Sequence, residues 1–205
     1  MNNKWKLGFF GLIAGILSFF AVTNVPWGEN IALSLSGFYS PGEIFGIVTA
    51  SYFIVFSKRD WTFWYKAPGW ILTSSIAYYV AVQVALGTMD MFSQSGGGFW
   101  SLYWLGENYT APPPLSMILA GCVGVFILLI GFYLFWSSVT WRQWCALTLL
   151  GGLLALSFFL PALITKFWES GSGPYFTLFV VWQTGMAFGF GYILDQKNKV
   201  NKAPV

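Results

Sequence analysis

Tryptophan and a carboxylate recur together at three points of this chain. Trp27-Gly28-Glu29-Asn30, Trp104-Leu105-Gly106-Glu107-Asn108 and Trp168-Glu169-Ser170-Gly171 each precede proline, at Pro41, at Pro112 to Pro114 and at Pro174. The chemistry open to such a set is recognition rather than bond-making. Tryptophan faces attract cations, carboxylates pair with them, and asparagine supplies donors and acceptors. If the three clusters converge, Trp27, Glu29, Trp104, Glu107, Trp168 and Glu169 ring one site for a cationic or aromatic small molecule. The plainer reading assigns the tryptophans to a membrane interface and the glycines and asparagines to turns.

Catalytic sets are missing. Histidine is absent, which removes bis-histidine haem ligation, the usual zinc-peptidase motif and a Ser–His dyad. Ser170-Gly171-Ser172-Gly173 has no base beside it. Cys122 and Cys145 make no metal site, and their expected depths differ by about 15 Å at 1.5 Å per helical residue, beyond disulfide reach. Both are expected to be buried, inert thiols. No cofactor or metal is expected, and the chain reads as non-enzymatic.

Pumps and ion-coupled transporters keep acids or bases at mid-membrane, where a charge is costly and is retained for a task. Here every formal charge falls at the end of an apolar segment. Glu43 comes closest to the interior, and the capping box Ser40-Pro41-Gly42-Glu43 accounts for it. Gln83 and Gln183 are the long polar side chains that fall well inside. Each either makes an interhelical hydrogen bond or lines a polar cavity open to the outer face.

The elements that must position these residues are membrane spans. In 205 residues, 57% are hydrophobic and 8% charged, and mean hydropathy is +0.65. Residues 7–28, 67–89, 108–141, 143–165 and 170–194 contain no Asp, Glu, Lys or Arg, and 44–57 form a shorter uncharged run. A bilayer core needs about 20 helical residues. The pattern predicts an all-α, polytopic single domain over 1–205, a bundle of six transmembrane helices near 7–25, 41–57, 68–88, 115–136, 141–165 and 174–194. A short interfacial segment is expected near 99–105. The first run lacks a small-residue cleavage site before Asn24, so it is read as a span rather than a signal peptide.

Helix signals mark the starts. Thr140-Trp141-Arg142-Gln143 is a second capping box, and Pro68, Pro114 and Pro174 stand where helices open. Pro161 should remove the bond to the Ser157 carbonyl and kink span five. The pairs Gly11/Gly15, Gly42/Gly46 and Gly185/Gly189, extended by Ala120/Gly124 and Gly151/Ala155, have the four-residue spacing that lets helix backbones approach. Packing within the bundle or a homo-oligomer interface would use them. Trp5, Trp61, Trp64, Tyr65, Trp70, Trp136, Trp141 and Trp144 would form the inner aromatic belt.

Orientation follows from the basic residues. Lys4, Lys6, Lys58, Arg59, Lys66, Arg142, Lys197, Lys199 and Lys202 fall on one side and Lys166 on the other. The positive-inside rule therefore puts both termini in the cytoplasm, with a plasma (inner) membrane location. The net charge of +3 is topological and gives no reason to invoke nucleic acid.

Length and span count resemble the substrate-binding S-components of energy-coupling-factor vitamin importers. The resemblance covers architecture alone, and no site residue transfers. It implies a small-molecule-binding component of an uptake system, loaded from the outer face and energised by other subunits. A structural or accessory subunit of a larger membrane complex is the alternative. The partners expected are the lipid bilayer, a small-molecule ligand, and a membrane protein or a second copy.

The threading is testable by labelling. With Cys122 and Cys145 replaced by alanine, single cysteines at Lys58 and Lys199 should react with an impermeant thiol reagent only after the membrane is breached. Cysteines at Ser95 and Ser170 should react in intact cells. The reverse pattern would overturn the topology.

Overall fold

The computed structural model describes residues 2–23, 41–56, 62–94, 114–160 and 173–200. They form α1 (Asn3–Thr23), α2 (Pro41–Phe56), α3 (Phe63–Gln94), α4 (Pro114–Phe135), α5 (Trp141–Ala155) followed by a 3-10 turn (Leu156–Phe159), and α6 (Gly173–Val200). No strand occurs among the described residues. Five of the helices are long and apolar enough to cross a membrane, and α2 is apolar but shorter. The chain is thus a multi-pass helical membrane protein.

The second expected span, 41–57, is present as α2, but it is too short to cross by itself. With 16 residues, α2 is about 24 Å long at 1.5 Å per residue, short of the ~30 Å hydrocarbon core. It also starts deep. The Pro41 carbonyl lies 3.5 Å from Ser18 Oγ and 3.3 Å from Gln183 Nε2. Ser18 precedes the end of α1 by roughly 8 Å and Gln183 follows the start of α6 by roughly 15 Å at the same rise. Glu43 sits in the first turn of α2, half-buried, where its charge complements the positive end of the helix dipole.

Other boundaries shift by a few residues. Pro68 does not open α3 but lies inside it. Its missing N–H leaves the carbonyl of Trp64 without that helical bond, and Trp64 is 75% exposed, at a helix end where the loss is tolerable. The regular part of α5 stops at Ala155 and tightens into the 3-10 turn, just before Pro161, which itself lies outside the described residues. At the other end, α6 runs on through Lys197 and Lys199. The Thr140 capping box is present: Thr140 N–H donates to Gln143 Oε1 (2.9 Å) and Gln143 N–H to Thr140 Oγ1 (3.4 Å).

The helices form a closed ring in chain order, each antiparallel to the next, and glycine makes the contacts. A Cβ on Gly11 would stand 2.5 Å from the Gln183 carbonyl oxygen, and one on Gly15 2.7 Å from that of Phe179, so α1 and α6 touch backbone to backbone. Gly42 and Gly46 meet α3 at Ser74 and Ile71, Gly121 meets α5 at the Gly151 carbonyl, and Gly185 and Gly189 receive Leu154 and Leu147. The pairs read from the sequence thus pack within one chain.

Both termini lie at the same end. The Asp195 carboxylate accepts from the backbone N–H groups of Asn3 (2.9 Å) and Lys4 (3.1 Å), capping α1 from α6. Tyr52 donates to Asn3 Oδ1 at 2.8 Å, tying in α2. Lys4, Lys6, Lys66, Arg142, Lys197 and Lys199 belong to helix ends on this side.

Aromatic rings fill the half of the bundle nearest the termini. Phe132 stacks on Phe190 at 4.7 Å and Trp70 meets Phe190 edge-on at 5.6 Å. Trp70 Nε1 donates to Thr49 Oγ1 at 2.8 Å. Trp70 was expected in the interfacial belt, but at 1% exposure it is core; a partner for its indole N–H makes that burial tolerable. Trp5, Trp64, Tyr65 and Trp141 are exposed, as belt residues would be. Trp136 is half-buried and stacks on Phe53 at 3.8 Å. Of the cysteines, both free, Cys145 is exposed rather than buried, because it falls in the first turns of α5 on an outward face.

Replacing Gly15 or Gly121 by alanine should cost about 1–3 kcal/mol, because rigid backbone blocks the added methyl. Gly189→Ala should cost less, since only the tip of Leu147 must move. Gly87, with nothing within 4 Å, should tolerate alanine or gain up to ~1 kcal/mol in helix propensity. Denaturation midpoints of the purified variants check the order, and equal midpoints would mean the seams carry no packing.

Candidate functional site

A cavity of about 130 Å³ opens in the half of the bundle away from the termini. Its wall comes from every helix but α1. Pro41, Gly42 and Phe45 belong to the deep start of α2, and Ala77, Tyr78, Ala81 and Ala85 to α3. Met117, Ala120 and Gly121 come from α4, Ala155 from α5, and Phe179, Trp182 and Gln183 from α6. Small side chains create the space: Ala77, Ala81 and Ala85 recur every fourth residue, so one face of α3 presents methyl groups to a common axis. Phe45, which approaches Trp70 and Trp182 at 6.4 and 6.3 Å between ring centroids, joins this space to the aromatic core.

Beside the cavity stands a polar knot. Gln183, 3% exposed, donates from Nε2 to Ser18 Oγ (3.0 Å) and to the Pro41 carbonyl (3.3 Å), and its Oε1 lies 3.3 Å from Ser18 Oγ. Ser74 Oγ donates to the Gly42 carbonyl at 2.6 Å. Four helices are therefore tied at the first turn of α2, and the Ser18, Ser74 and Gln183 side chains find partners that an apolar interior would otherwise deny them. Trp182 Nε1 donates to the Gly151 carbonyl at 3.1 Å, which glycine leaves accessible.

Of the residues proposed from sequence, Gln183 lies in the cavity wall, and it also makes the interhelical bonds offered as the other reading. Gln83 does neither. It is exposed on α3, in register with the exposed Leu72, Ile76, Tyr79 and Leu86, the stripe opposite Ala77, Ala81 and Ala85. Trp27, Glu29, Trp104, Glu107, Trp168, Glu169 and the 99–105 segment lie outside the described residues. Among the described residues no charged side chain lines the cavity, so the described part of the site offers a cation no counter-charge.

Sequence reasoning missed Tyr78, Phe179 and Trp182. The alanine register on α3 was the available signal for Tyr78, which directly follows Ala77 on the inward face. Among the described residues no group of three or more His, Cys, Asp or Glu side chains is placed to hold a metal ion. No family model, curated protein or solved structure matches this chain.

Gln183→Leu should destabilise the protein by roughly 1–2 kcal/mol, the scale of interhelical hydrogen bonds in membranes, by removing the bonds from α6 to Ser18 and to the Pro41 carbonyl. Gln83→Leu should stay within about 0.5 kcal/mol of wild type. Thermal unfolding in detergent measures both; equal losses would mean the two glutamines share one role.

Proposed function

We propose that this protein is a non-enzymatic integral membrane protein that binds an uncharged, largely apolar small molecule between its helices, as the binding component of an uptake system. One observation carries the reading: the 130 Å³ space lined by α2 to α6 without a charged side chain. Bound water needs two to four polar partners, and apolar cavities stay dry and accept apolar guests. The polar groups of the wall are, with one exception, already paired to other helices. Drug-sized ligands occupy about 300–1,000 Å³, so the space takes a small molecule or one ring of a larger one.

The membrane assignment extends to topology. We propose six passes, α2 being the second, with both termini cytoplasmic in a plasma membrane. The support is the clustering of basic side chains at the end that holds the termini. The accessory-subunit alternative has less to draw on, because the glycine pairs that would serve a partner helix are used inside the chain.

Toluene should raise the Tm of the purified protein. Ala120→Leu, which places a larger side chain in the wall, should abolish that shift while Gly87→Ala, far from any neighbour, retains it. A detergent effect would move all three proteins alike, and that result would overturn the reading.

A further inference from the structure

We propose that the occupant is an uncharged six-membered ring carrying one hydrogen-bonding oxygen, and that the Tyr78 hydroxyl selects for that oxygen. This rests on the cavity reading above and adds the ligand class.

Side-chain polar atoms in the wall belong to Ser74, Tyr78, Trp182 and Gln183. Three of these residues are committed: Ser74 to the Gly42 carbonyl, Trp182 to the Gly151 carbonyl, and Gln183 to Ser18 and the Pro41 carbonyl. The Tyr78 hydroxyl has no hydrogen bond to any described residue. Its side chain is fixed at both ends of the ring's attachment, with Cβ against Gly42 and the ring 6.5 Å from that of Phe179. A phenolic hydroxyl both donates and accepts, so it can meet a ligand hydroxyl or carbonyl equally.

Size and charge narrow the class. An apolar cavity of about 150 Å³ takes one benzene ring, and 130 Å³ is of that order. A formal charge on the ligand would lose its hydration against a wall with no counter-charge. Several separate polar groups would each need a partner, and the wall has one to give. A ring with a single oxygen satisfies all three constraints, and a phenol is its simplest member.

Toluene and p-cresol differ by that oxygen. Their affinities, from Tm titrations of wild type and Tyr78→Phe, should show a preference for p-cresol over toluene about fivefold greater in wild type, the worth of one hydrogen bond. Comparing the preference between proteins cancels partition into detergent. Toluene affinity should be the same in both, reporting an intact cavity. An unchanged preference with toluene binding intact overturns the role of Tyr78 and leaves the cavity reading standing; no toluene binding to wild type removes both. A second measurement needs no variant: the ¹³Cζ resonance of labelled Tyr78 should shift on adding p-cresol and not on adding toluene, and equal responses would overturn the proposal.

Discussion

Backbone-to-backbone contact at glycine is the constraint on which this bundle depends. Within lipid, an apolar side chain gains little by exchanging an acyl chain for another helix, so association rests on close packing and on polar contacts. Gly11 and Gly15 let α1 lie against the backbone of α6 at Gln183 and Phe179. That contact joins the first helix to the last and closes the ring. The Asp195 cap on the first turn of α1 fixes the same pair at the other end of the contact.

Closure in turn fixes where the polar groups meet. Gly15 and Ser18 are three residues apart on one face of α1, so the seam that brings in α6 also carries Ser18 to Gln183. The same geometry sets the start of α2, because the Pro41 carbonyl is held by that pair. The cavity lies between the first turns of α2 and the alanines of α3, and Tyr78 belongs to the helix that bounds it.

The described interior divides into two halves. Toward the termini, Trp70, Phe132 and Phe190 pack as a solid aromatic core, which gives no path through the described bundle. Away from the termini, small residues leave space beside paired polar groups. The cavity therefore has a closed floor on the side of the termini.

Sequence alone determined the class, the helix order and the packing partners in kind. Uncharged runs, proline and threonine starts, and the spacing of Gly11/Gly15 or Gly42/Gly46 are local properties, and local periodicity reports them faithfully. Helix depth and facing were a different matter. The uncharged run 44–57 and the helix signal at Pro41 mark a span over 41–57 but do not say at what depth Pro41 lies, because that is set by what its carbonyl meets on α1 and α6. Likewise Gln83 and Gln183 look equivalent in composition, yet one faces outward beside Leu86 and the other is tied to Ser18, since the azimuth of a helix apolar on every side is fixed only by its neighbours. Trp70 reads as an interfacial anchor in the sequence, yet it is buried in the core with its indole N–H donated to Thr49 Oγ1. The cavity itself is a property of the tertiary structure: it consists of what five helices, with small residues on α2 to α5, fail to fill when they are brought together.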